Sequence, residues 1–173
     1  MRQTVFTKHS LCRTYLLWMY KGPTQRYTVP ADLKKRYDAA LSDLEAHPGG
    51  EGTYHEVLAE HAELRGAPDI AVAELEKAFA IDDRFELQLK RWRIMARNKG
   101  MSMNVLSELD SFKVDARQAA RWDTHLKTLV EIYVTAMLNS SYSAQRLNRF
   151  AVPLESREIG AIVSRVRRRL ADA

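Results

Sequence analysis

Apolar residues recur every three or four positions along almost the whole chain, and nowhere do they alternate strictly with polar ones over the length of a strand. The pattern predicts an all-α fold. A first helix over 10–20 carries the run Tyr15-Leu16-Leu17-Trp18-Met19-Tyr20, with Ser10 as its expected N-cap and Gly22-Pro23 as its stop. Pro30-Ala31-Asp32 opens a second helix whose apolar stripe is Leu33, Tyr37, Ala40, Leu41 and Leu44, ended by Pro48-Gly49-Gly50. Helices over 54–64 and 70–80 follow, separated by Gly66 and Ala67-Pro68-Asp69. A helix over 85–98 sets Phe85, Leu89, Trp92 and Ala96 on one face. Gly100 then breaks the chain before a helix over 103–112.

From Asp115 the longest helix carries Ala119, Trp122, Leu126, Leu129, Val130, Tyr133 and Met137 as far as Asn139-Ser140-Ser141. A short helix is expected over 143–150. After Pro153, a last helix over 155–170 has Ile159, Ile162, Val163, Val166 and Leu170 on one side. Within this series Gly66 and Gly100 stand 34 positions apart. The same shift carries Leu58 onto Trp92, Ala62 onto Ala96, Ala71 onto Val105, Leu75 onto Leu109 and Ala78 onto Phe112. A shift that preserves a turn glycine and the apolar face of two helices marks an internal repeat of helix hairpins.

Composition leaves this picture intact and bounds the rest. The chain has 173 residues, 46% hydrophobic and 28% charged, enough for one domain with a real core. The expected organisation is a single all-α domain over 1–173, with N-terminal capping helices at 1–48 and hairpins at 52–113. A long helix at 115–138 and basic C-terminal helices at 143–173 complete it. Cys12 is the one cysteine, so neither an intramolecular disulfide nor a cysteine zinc site is expected, and a reducing compartment suits it. The apolar run at 15–20 is far short of the ~20 residues that span a bilayer. A soluble cytoplasmic protein is therefore expected.

Charge is segregated along the chain. The net charge is +5, but residues 1–46 carry +4, residues 47–83 carry −7 and residues 84–127 carry +5; residues 128–140 hold only Glu131, and residues 141–173 carry +4. Such blocks predict surfaces of opposite sign that serve internal pairing or charged partners.

Residues 52–85 resemble a tetratricopeptide repeat. The likeness rests on Leu58-Ala59 in the first helix, Gly66 at the turn, and Ala71, Leu75, Ala78 and Phe79 in the second. Small residues at 59, 71 and 78 let paired helices approach closely, and glycine at 66 accepts the left-handed backbone that ends a helix. His55 stands where the family often has Trp, Ala62 where it has Tyr, and Asp83 where it has Pro. Residues 86–119 would be a degenerate second copy with Arg93 at a normally small position. The resemblance implies a protein-interaction scaffold with a groove lined by the first helix of each hairpin. In this register the groove would present Thr53, Glu56, Glu60 and Glu63, then Leu87, Lys90, Ile94 and Arg97. The family's chaperone-binding members grip a peptide carboxylate with Lys and Asn where this chain has Glu56 and Glu60, so that activity is not expected. A groove with an acidic half and a basic half implies a partner of mixed charge.

A second resemblance lies at the C-terminal end. Leu147-Asn148-Arg149-Phe150-Ala151-Val152-Pro153-Leu154, then Arg157-Glu158-Ile159 and Ile162-Val163, is similar to the small helical C-terminal domain of some plasmid and phage primases.

In His55-Glu56-Val57-Leu58-Ala59-Glu60-His61 the histidines are six positions apart and share no helical face, so they are read as surface or interface residues and not as a zinc pair. His9 and Cys12 are one turn apart but lack an orienting acid. Carboxylates at 56, 60 and 63 read as a solvated or partner-facing acidic stripe rather than an acid/base cluster. No phosphate-binding glycine loop follows Gly49, Gly50 and Gly52. No catalytic residue, cofactor or metal is expected.

Two basic clusters remain. Lys90, Arg91, Arg93, Arg97 and Lys99 surround Trp92, itself expected in the core, and Arg165, Arg167, Arg168 and Arg169 crowd the last helix. The expectation is a non-enzymatic adaptor that binds a protein segment through Glu56, Glu60, Glu63, Lys90, Ile94 and Arg97. Its alternative is a nucleic-acid-associated protein that contacts phosphates through Arg91, Arg93, Arg165, Arg167, Arg168 and Arg169. Apolar surface left open by the capping helices would favour a homodimer.

Overall fold

The computed structural model describes residues 4–21, 31–114, 119–140, 147, 150–151 and 154–172, and the description below is confined to them. Among the described residues there are eight helices and no strand. They are α1 (Val5–Lys21), α2 (Ala31–Glu45), α3 (Glu51–Leu64), α4 (Pro68–Ile81), α5 (Phe85–Arg97), α6 (Ser102–Val114), α7 (Ala119–Ser140) and α8 (Ser156–Ala171). The chain divides into two compact units, Met1–Gln88 and Leu89–Ala173. Among the described residues no helix is long and apolar enough to cross a membrane.

In the first unit, α1, α2 and α3 pack mutually and α4 lies on α3. Cys12 and Leu16 of α1, Tyr37, Ala40 and Leu44 of α2 and Val57 of α3 form one buried cluster. The helix start expected at Ser10 is corrected. α1 begins at Val5, where Thr4 Oγ1 accepts a hydrogen bond from the Thr7 N–H at 3.3 Å, and Val5 extends the inward face that Cys12 and Leu16 continue. Ser10 sits inside the helix, its carbonyl accepting from the Thr14 hydroxyl at 2.8 Å.

α3 and α4 form a tight hairpin because their facing positions are small: Ala59, Ala62, Ala71 and Ala78 are buried around Leu75. Gly66 closes the turn at φ +70°. Its N–H donates to Glu63 O at 3.0 Å while the Ala67 N–H donates to Ala62 O at 2.9 Å, the paired bonds of a Schellman motif. Pro68 then starts α4 at a position where a missing N–H costs nothing.

The hairpins begin 34 residues apart, Glu51 with Phe85 and Pro68 with Ser102, in agreement with the repeat read from the sequence. The turns are not equivalent. Gly66 has a positive φ and Gly100 does not; Asn98 organises the second turn, its side-chain oxygen accepting from the Gly100 N–H at 2.9 Å.

In the second unit α7 is the central helix, packed on α6 and α8. Leu129, Val130, Ile132, Tyr133, Val134 and Ala136 are all at most 3% exposed, so α7 is buried well beyond the single stripe expected of it. Phe150 stacks on Tyr133 at a centroid distance of 4.1 Å. The described part of α7 reaches Ser140, within the expected stop, and Asn139 Nδ2 donates to Ala96 O of α5 at 2.8 Å. α8 starts with a capping box in which Glu155 and Glu158 exchange side-chain and backbone bonds. The expected helix start at Asp115, and most of the helix expected over 143–150, lie outside the described residues.

Candidate cleft of the second unit

Three helices of the second unit enclose a cleft of about 620 Å³. α5 contributes Arg93, Ala96 and Arg97; α7 contributes Thr128, Glu131, Ile132 and Thr135; α8 contributes Val166, Arg169 and Leu170. Helical spacing explains the convergence. Positions 93 and 97 are one turn apart, as are 166 and 170, and 128, 131, 132 and 135 form one face of α7. The floor is apolar, the two threonines add hydroxyls, and the rim carries three guanidinium groups against a single carboxylate.

That carboxylate organises the rim. Glu131 accepts a hydrogen bond from Arg169 Nη1, and Arg165 Nη1 lies 3.6 Å from its other oxygen. Of the four C-terminal arginines expected to contact phosphates, two, Arg165 and Arg169, engage an acid of α7. Arg167 and Arg168 are exposed and have no ion-pair partner among the described residues. Arg168 and Arg169 also occupy the last turn of α8, where cations offset the helix dipole.

Arg91 departs from its expected role as a phosphate ligand. Its side chain is 13% exposed, and Nη1 and Nη2 donate to Glu108 Oε2 and Oε1 at 2.5 and 3.1 Å. Trp92 is in the core, as expected, at 2% exposure and edge-on to Phe112. Arg93 is exposed on the cleft rim, and no ion-pair partner meets it among the described residues.

The expected groove residues divide between the two units. Lys90, Ile94 and Arg97 belong to the second, where Arg97 lines the cleft, Lys90 is half-buried and Ile94 is only 7% exposed. Glu56, Glu60 and Glu63 belong to the first. Glu63 is exposed, but Glu56 is only 4% exposed and accepts from Arg84 Nη2 at 2.9 Å. Glu60 accepts from Arg13 Nε at 2.8 Å. Glu56 and Ile94 are therefore interior residues and not an open binding face: both occupy inward positions of their helices. Burial lowers the pKa of Arg84, but its bonds to Glu56 and Asp82 outweigh this and hold it above the ordinary value.

The histidines of α3 are not surface groups either. His55 Nδ1 lies 2.6 Å from Glu74 Oε2, tying α3 to α4. His61 is held between Tyr20 and Tyr37, with Nε2 3.0 Å from one hydroxyl and Nδ1 3.2 Å from the other. Burial, and then the charges of Arg65 and Lys34, lower its pKa. Cys12 is fully buried, and burial pushes its thiol up to about 11, which removes the thiolate that a nucleophile requires.

Thr128, Glu131 and Thr135 were not anticipated as site residues. Glu131 carried a readable signal, because it is the one charge between residues 128 and 140. A lone acid on an otherwise uncharged, largely buried stretch of helix needs a cationic partner. In comparisons with known proteins, no family model, no curated protein and no solved structure matches the chain.

Proposed function

We propose that this chain is a non-enzymatic interaction module, built from tetratricopeptide-like hairpins, that holds an acidic segment of a partner protein in the cleft of its second unit. The observation that carries this reading is the convergence of Arg93, Arg97 and Arg169 around an apolar floor of Ala96, Ile132, Val166 and Leu170. Guanidinium groups pair with carboxylates through two parallel hydrogen bonds, and an apolar floor rewards one hydrophobic anchor between the acids. Glu131 holds Arg169 in the rim and occupies the position that a partner's carboxylate would take. The test is titration of labelled peptides carrying Asp or Glu on both sides of a Leu or Phe. Binding that weakens at least tenfold in Arg97→Glu and tightens in Glu131→Gln supports the reading. Absence of binding at low salt, or indifference to Arg97→Glu, overturns it.

A second reading rests on Arg167 and Arg168, the exposed arginines of α8 with no ion-pair partner among the described residues. In this reading α8 contacts nucleic-acid phosphates. Binding of DNA or RNA that falls steeply with salt and weakens in the double variant Arg167→Glu/Arg168→Glu would favour it over the first.

A further inference from the structure

The strongest unassigned chemistry lies in the first unit. His9 of α1 and Glu56 and Glu60 of α3 each offer one ligand atom, and these atoms lie within 4.8 Å of one another. The grouping follows from two one-turn spacings on different helices. Glu56 and Glu60 stack on one face of α3, while His9 and Arg13 stack on one face of α1. The cluster is sheltered: Glu56 is 4% exposed, Glu60 is half-buried, and Nε2 of His9 is screened from solvent.

An imidazole nitrogen and two carboxylates form the kind of mixed N/O set that binds first-row divalent ions and leaves further positions open to water. Metal–ligand bonds of roughly 2.1 Å place neighbouring octahedral ligands about 3 Å apart. Arginines supply the outer layer that metal-ligating carboxylates ordinarily have. Arg13 donates to Oε2 of Glu60, and Arg84 donates to Oε2 of Glu56. The guanidinium charges do not cancel the acids. Arg84 is shared with Asp82, and the Arg13 side chain is 51% exposed and screened by water.

We propose that His9, Glu56 and Glu60 bind one divalent transition-metal ion, which clamps α1 onto α3. The histidine beside Glu56 in the sequence, His55, takes no part, being paired with Glu74.

The test is titration of the full metal-free chain with cobalt(II), followed by its visible absorption and by calorimetry, with zinc(II) and manganese(II) in parallel. One cobalt ion per chain is expected, with an affinity that falls at least tenfold in His9→Gln and in Glu60→Gln. Both positions are half-buried rather than core, and circular dichroism establishes that each variant is folded. His47→Gln, in the turn after α2, serves as the comparison and leaves the affinity unchanged. Saturating metal is also expected to raise the Tm of the wild-type chain and not that of His9→Gln. Absence of binding up to millimolar cobalt overturns the proposal. So does a stoichiometric site that His9→Gln and Glu60→Gln leave intact.

Discussion

Trp92 Nε1 donates to Glu108 Oε2 at 2.7 Å, and the same carboxylate receives both guanidinium nitrogens of Arg91. One acid of α6 thus satisfies the indole of a core tryptophan and the charge of its neighbour, joining α5 to α6. Burial raises the Glu108 pKa, but its bonds to Arg91 and Trp92 outweigh this and hold it below the ordinary range. Glu108→Ala leaves a buried indole N–H and a largely buried guanidinium without their acceptor. A loss of about 2 kcal/mol is expected in urea denaturation, and Glu108→Gln should lose less. Because the folded pKa is depressed, the wild-type contribution is present above the unfolded pKa and is lost as pH falls through the folded value. In Glu108→Ala that acid-side loss should be smaller.

Two glycines separate conformational from steric requirements. Gly66 has φ +70° and open space around its missing side chain, so Gly66→Ala should cost about 1 kcal/mol and Gly66→Asn less. Gly50 has an ordinary φ of −86°, yet a Cβ there would lie 2.2 Å from the carbonyl oxygen of Leu44. Gly50→Ala should therefore be the more damaging change in thermal denaturation, although backbone preference alone predicts the reverse order.

His61 makes stability depend on pH. With its folded pKa depressed, the unfolded chain binds the proton more readily, so stability is full above the unfolded pKa near 6.5 and declines as pH falls below it. The Tm should drop between pH 7 and pH 5, where the depressed carboxylates Glu74 and Glu108 are still ionised. His61→Gln should be less stable at pH 7 and should flatten that slope.

Cys12 should be inert in the native chain. Full burial and a thiol raised to about 11 predict negligible reaction with a maleimide or disulfide reagent at pH 8. Rapid reaction should appear once urea unfolds the first unit. Fast labelling under native conditions would mean that α1 leaves the cluster of Leu16, Tyr37, Leu44 and Val57 without global unfolding.

Helical periodicity carried the local structure, because it depends on neighbours three and four positions away. The stripe Leu33, Tyr37, Ala40, Leu41 and Leu44 is the inward face of α2, and Gly66 ends α3 in the conformation that glycine permits. The 34-residue shift likewise marks two consecutive hairpins in the sequence itself. Where polar side chains end up was another matter. Glu56 and Glu60 read as part of a solvated or partner-facing stripe, yet Arg84, 28 positions on, and Arg13, 47 positions back, take up their charge. Arg91 reads as a phosphate ligand until α6 brings Glu108 to it, and Arg169 finds Glu131 across 38 positions. A side chain's helical phase is fixed by its place in the sequence. Its partner depends on which face of another helix packs against it, and only the tertiary structure decides that.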